Sequence, residues 1–131
     1  MVDRDYLLSQ EELPLRFDFK FRPWRYKLSL SELELRSFDR GAAPVFVSIR
    51  FHAVIAMQLK TVFTSLTLAN ADTSQSAELR RIADIDDSRW SRVRCFALSS
   101  TGVDSLVACT GYAVRIYPTG FPADGRGNFG R

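Results

Sequence analysis

At 131 residues the chain has the length of one domain, and 46% hydrophobic with 25% charged residues excludes a chain too poor in apolar side chains to repay its ordering. No apolar run reaches the roughly 18 residues of a membrane span, and Met1-Val2-Asp3-Arg4-Asp5 lacks the basic-then-apolar layout of a secretory leader; a cytoplasmic protein without a membrane partner is expected. The net charge of +3 is spread evenly, with 10 basic and 8 acidic residues up to position 66 and 8 and 7 beyond it, which excludes an acidic nucleic-acid mimic.

The first predicted element rests on period-two alternation. Leu15, Phe17, Phe19 and Phe21 alternate with Arg16, Asp18 and Lys20, which predicts a half-buried strand over 15–21. Trp24, Tyr26, Leu28 and Leu30 continue in the other phase, and Leu33 and Leu35 change phase again. A β-bulge near Ser31 or Glu32 absorbs that change; the competing reading makes 29–35 a short helix. Val45, Val47, Ile49 and Phe51 begin an alternation that runs to Leu59. Unbroken, it would be about 50 Å long against a usual 17–20 Å, so a bend is expected between His52 and Ala56. Positions 62–68 read as a strand, 70–76 as a polar loop and 77–83 as a short helical turn. Strands over 93–98, 106–109 and 112–117 complete the series.

Three antiparallel hairpins emerge from apolar pairing across turns. A turn between Pro23 and Trp24 pairs Phe21 with Tyr26, Phe19 with Leu28 and Phe17 with Leu30. A turn at Asp39-Arg40-Gly41 pairs Leu35 with Val47 and Leu33 with Ile49. One centred on Gly102 pairs Leu98 with Leu106, Phe96 with Ala108, and Cys95 with Cys109. The expected fold is mainly β: a single domain of antiparallel meander strands over residues 1–119, forming a curved sheet, sandwich or partly open barrel with at most one or two short helices. Four of the seven glycines lie in 120–131, which therefore reads as a flexible Gly-rich C-terminal tail. If it orders on a partner, Phe121 or Phe129 is its anchor and Arg126 or Arg131 its charge contact.

Residues with chemical potential are few. His52, the one histidine, lies on the polar phase of its strand, without a nucleophile or acid at motif spacing, and is expected to make one hydrogen bond. His52, Cys95 and Cys109 are three candidate zinc ligands where structural sites use four, so neither metal nor cofactor is expected. The Gly102 hairpin sets the two thiols opposite each other, in reach of pairing under oxidising conditions, while two buried free thiols are the expectation in a reducing cytosol. Asp84-Ile85-Asp86-Asp87 lacks the glycine and spacing of a calcium loop and reads as a turn, with Asp86, Asp87 or Ser88 capping the next element. The sequence carries no Gly-rich phosphate loop, G-x-S-x-G or HExxH, so no catalytic residue is assigned and a non-enzyme is expected.

Positions 16–27 form a basic ribbon. Arg16, Lys20, Arg22, Arg25 and Lys27 interleave with Phe17, Phe19, Phe21, Trp24 and Tyr26 against a single acid, Asp18. Alternation puts the aromatics on a core face and the cations on a solvent face. Arg89, Arg92 and Arg94 near Trp90 make a second positive patch. Because Trp and Arg anchor protein interfaces, Arg22, Trp24, Arg25, Arg89 and Trp90 are the candidate partner-binding residues.

The stretch Val45-Phe-Val-Ser-Ile-Arg-Phe-His-Ala-Val54, then Phe63-x-x-Leu66-x-Leu68, then Phe96-x-Leu98-x-Ser100-x-Gly102-x-x-x-x-Val107-Ala108 resembles the strand patterns of small bacterial β-rich immunity-type proteins of polymorphic toxin systems. It covers about residues 45–117 and transfers no binding residue. The resemblance implies a non-enzymatic inhibitor that neutralises a cognate toxin by direct binding. The alternatives are a nucleic-acid-binding β domain using the 16–27 ribbon, and a small-ligand β-barrel with an apolar lumen. An unpaired edge strand also leaves room for a homodimer.

Overall fold

Alternating side chains build two layers. In the computed structural model, which describes residues 7–8, 12–39 and 45–122, the strands form two antiparallel five-stranded sheets. Sheet A holds β1 (Leu7–Leu8), β3 (Lys20–Lys27), β4 (Glu32–Phe38), β5 (Phe46–His52) and β10 (Gly111–Tyr117), in the order β1-β10-β5-β4-β3. Sheet B holds β2 (Leu15–Phe17), β6 (Ala56–Gln58), β7 (Leu66–Asn70), β8 (Arg94–Ser99) and β9 (Ser105–Cys109), in the order β2-β7-β8-β9-β6. Each sheet contains a three-strand meander, β3-β4-β5 and β7-β8-β9. Neither closes on itself, so among the described residues there is no barrel lumen, and the sandwich is the expected architecture that forms.

The inner faces make the main core. Leu33, Leu35, Val47, Ile49, Phe51 and Val114 of sheet A meet Leu15, Leu66, Leu68, Phe96, Leu98, Val107 and Cys109 of sheet B. Each large side chain buried there contributes about 1.5–3 kcal/mol. A smaller cluster lies on the other face of sheet B, where Leu79 of α1 (Thr73–Ala83) is buried against Ala56, Ala97, Leu106 and Ala108. Helix α1 begins inside the expected polar loop because Asp72 and Gln75 form a reciprocal capping box: Gln75 N donates to Asp72 Oδ1 at 2.7 Å, and Asp72 N donates to Gln75 Oε1 at 2.9 Å. The single turn α2 (Asp87–Trp90) starts at Asp86, whose carboxylate accepts from Arg89 N at 2.9 Å, the capping role expected of the acidic run.

The amino-terminal half departs from the expected hairpin. The 15–21 strand breaks at Asp18 and Phe19, so β2 and β3 enter different sheets, and Phe17, Phe19 and Phe21 meet there at 5.3–5.8 Å between ring centres. No turn forms at Pro23 and Trp24. Strand β3 lies at the edge of sheet A, where the missing proline N–H breaks no ladder, and Trp24 is the extra residue of a bulge between Pro23 and Arg25. The chain reverses later, in a 3-10 turn over Leu28–Leu30 closed by Ser31 in the left-handed region (φ 48°). Neither the bulge at Ser31 nor the helix over 29–35 is present.

The other registers miss by one or two residues, with different consequences. Leu35 faces Ile49 and Leu33 faces Phe51, a displacement of two that keeps every side chain on its expected face. The turn residues Arg40 and Gly41 lie outside the described residues. The bend after His52 forms, with Ala53 at φ 53° and β6 starting at Ala56. In the β8–β9 hairpin Phe96 faces Val107 and Cys95 faces Ala108, a displacement of one that exchanges faces. Cys109 therefore lies in the inter-sheet core and Cys95 on the α1 side, both as free thiols; the expected register that set them opposite each other is corrected. The carboxy-terminal boundary also moves. Phe121 packs edge-on against Phe46 and Tyr117, 5.3 Å from each ring, so the packed chain continues past 119. Positions 123–131, with Arg126, Phe129 and Arg131, lie outside the described residues.

Candidate functional site

Helix α1 covers the outer face of sheet B, while the outer face of sheet A is charged. The bulge at Trp24 creates this face. It lets Phe21 and Tyr26 stay inward, opposite Ser37 and Leu33, while Arg22, Trp24, Arg25 and Lys27 turn outward. Strand β4 adds Glu32, Glu34 and Arg36, β5 adds Ser48, Arg50 and His52, and β10 adds Arg115. Cross-strand register orders them into rows. Arg25, Glu34 and Arg50 oppose one another across three strands, so the acid lies between two bases, the favourable arrangement for facing pairs.

Glu34 is the centre of this face. It is 1% exposed although it lies on the outside of its sheet. Ser48 Oγ donates to Glu34 Oε2 at 2.6 Å, Arg36 Nε donates to the same oxygen at 2.9 Å, and Arg25 Nε donates to Oε1 at 3.2 Å. Arg50 adds a third guanidinium at 3.7 Å. Burial alone would raise the Glu34 carboxyl pKa, but the hydrogen bonds from Ser48 and Arg36 and the charges of Arg50 and Arg36 outweigh it and hold the group below its ordinary range. Glu32, one row along, lies 3.0 Å from His52 Nδ1 and 3.8 Å from Arg50. His52 thus makes the expected polar contact.

The next row carries no acid. Arg22 and Arg36 oppose each other directly across β3 and β4, and Ser48 and Arg115 continue the row. Like charges in facing positions repel. Aromatic rings offset the repulsion by cation–π contact with both guanidinium groups. The Arg22 guanidinium lies 4.7 Å from the Phe38 ring centre and 5.8 Å from that of Trp24. The Arg36 guanidinium lies 4.8 Å from Trp24 and 4.5 Å from Phe121. Trp24 thus sits between the two cations. Its buried indole N–H has no acceptor among the described residues, so cation–π contact rather than hydrogen bonding holds the ring. Beside these contacts opens a cavity of about 310 Å³, lined by Arg22, Trp24, Arg36, Ser37, Phe38, Asp39, Phe46 and Phe121.

The structure separates the five sequence-predicted contact residues. Arg22, Trp24 and Arg25 share the outer face of sheet A, but of the three only Arg22 is exposed. Arg25 is turned onto Glu34 and 13% exposed, so it organises the face from within. Trp90 is half-buried and packs with the cluster on the α1 side of sheet B, with Arg80 at 5.8 Å. Arg89 is exposed beside a separate cavity of about 300 Å³ near Ala53, Arg92 and Thr110. The 16–27 ribbon is likewise divided, since Arg16 projects from sheet B and the rest from sheet A. Arg36, Phe38 and Phe46 join the site without having been expected there, and Phe121 packs against its own chain. The inward phase of Leu33 and Leu35 carried the signal for Arg36, because it places Glu34 and Arg36 outward.

Among the described residues no three His, Cys, Asp or Glu side chains gather in a metal-binding group, and no helix is long and apolar enough to cross a membrane. The fold and face define a two-sheet β-sandwich with one helix-covered side and one cationic, aromatic side. No family model, curated protein or solved structure matches the chain.

Proposed function

We propose that the chain is a non-enzymatic protein-binding module of the immunity type, which neutralises a cognate toxin by docking an acidic surface onto the outer face of sheet A. The observation that supports this reading is the composition of that face: Arg22 is exposed and makes no ion pair among the described residues, while Glu32 and Glu34 are consumed by Arg25, Arg36, Arg50 and His52. The face therefore offers a partner positive charge beside a half-buried tryptophan, the pairing most frequent among interface anchors. The strand pattern over 45–117 adds the immunity-type expectation. Docking blocks a toxin by covering the surface through which it reaches its own substrate.

Co-expression with the product of the neighbouring reading frame tests the proposal. A stoichiometric complex on gel filtration, together with relief of that product's toxicity, is the expected result. Absence of both would overturn it. A nucleic-acid partner would instead give a steeply salt-dependent shift with single-stranded DNA or RNA alone.

A further inference from the structure

We infer that the cavity between Phe38 and Phe121 is the anchor site for the partner, and that it takes a carboxylate side chain flanked by an apolar residue. This rests on the protein-binding reading above and names the chemistry it requires. Three observations place the carboxylate. Arg22 and Arg36 face each other in the row without an acid, so positive charge accumulates at the cavity wall. Arg36 is committed to Glu34, whereas Arg22 contacts only the faces of Trp24 and Phe38. A guanidinium whose partners are aromatic rings has no acceptor for its N–H donors, which stay available for a carboxylate in the fork geometry that matches it. The one acid on the lining, Asp39, is engaged by Lys20 at 3.0 Å, so it does not take the Arg22 fork.

The remaining walls place the apolar neighbour. Phe38, Phe46 and Phe121 present ring surface, and a volume of about 310 Å³ lies at the lower end of the roughly 300–1,000 Å³ of ligand sites, room for a side chain or two. The site is built rather than incidental. Trp24 and Phe38 both contact the Arg22 guanidinium, and Arg36 is held in turn by Glu34, which also accepts from Ser48. A fork already oriented loses little freedom on binding, which is how a preformed anchor gains affinity.

The test uses the full chain uniformly labelled with nitrogen-15, titrated with acetyl-Glu-Leu-amide. Arg22 Nε–H and the Trp24 indole should shift together and saturate, while Arg16 and Arg92 stay still. The uncharged twin, acetyl-Gln-Leu-amide, should bind about tenfold or more weakly, the worth of one charge-assisted hydrogen bond. Arg22→Gln should abolish the response while the fold is retained, and Arg22→Lys should restore less than half of it. Equal binding of both peptides, or shifts centred on Arg89 and Arg92, would overturn the assignment. So would inorganic phosphate binding more tightly than the glutamyl probe, because it would transfer the site to a phosphate ligand. Saturable peptide binding without any complex in co-expression would keep the site and reject the toxin partner; a complex indifferent to Arg22→Gln would do the reverse.

Discussion

Glu34 is the residue on which the outer face depends, since three arginines and Ser48 converge on its carboxylate. Replacing it with glutamine keeps the shape and removes the charge that balances them. Breaking a buried ion pair costs about 3–5 kcal/mol, so Glu34→Gln should lower the free energy of urea unfolding at neutral pH by about that amount. The sign with pH is set by the lowered carboxyl. Its stabilisation is fully present above the unfolded value of about 4.3 and is lost as pH falls through the lower folded value. The wild-type protein should therefore lose stability on acidification below about pH 4.3, and the Glu34→Gln variant should lack that increment. Parallel acid limbs for the two proteins would assign the effect to other carboxylates. The thiols offer a second check at this scale. Burial pushes Cys109 up to about 11, partly offset by its bond to the Gly111 carbonyl and by Arg94, and burial also raises Cys95. Both should remain unreactive as thiols at pH 8 and unpaired after mild oxidation. Intact mass after alkylation with and without reductant reads this directly; a mass lower by two hydrogens would restore the rejected register.

Strand β3 shows why a single residue decides which side of a sheet is functional. Trp24 is the inserted residue of the bulge, and it lies between Arg22 and Arg36. Trp24→Ala removes two cation–π contacts of about 0.5–1 kcal/mol each and should cost about 1–2 kcal/mol in stability, while Trp24→Phe should cost less than half as much. Deleting Trp24 is a different perturbation. It removes the extra residue, so Arg25, Tyr26 and Lys27 keep Glu34, Leu33 and Glu32 as facing partners in a regular ladder, and the deletion should fold while losing the ring between Arg22 and Arg36. A deletion variant that fails to fold would mean that the bulge itself is required by the strand. The same strand marks the limit of what the sequence could reveal. Alternation made the β class legible, and the capping run at Asp86 was visible because its chemistry is local. Pairing across Pro23 failed because apolar alternation on both sides of a proline looks identical whether the chain turns there or runs on along an edge. The Gly102 hairpin failed by one residue because alanines 97 and 108 can face a helix or a core. Asp72 and Gln75 did carry a readable helix start, masked by the polarity of 70–76. The Arg36–Phe121 contact was not readable at all, since it joins β4 to a segment that composition assigns to a tail.

On the scale of the whole molecule, a net charge of +3 conceals strong segregation. One side of the sandwich is closed by α1 over small side chains, and the other gathers arginines on four strands around two spent acids. Such a face steers an acidic partner, and association should slow as salt rises, with dissociation far less affected. Whether the outer face of sheet A is the interface is decided by titration calorimetry of the complex with the neighbouring gene product, at low salt. Arg22→Gln should weaken binding by about tenfold or more, as removal of an anchor does, while Arg89→Gln leaves it unchanged. Full affinity in Arg22→Gln with loss in Arg89→Gln would contradict that assignment and move the interface to α2.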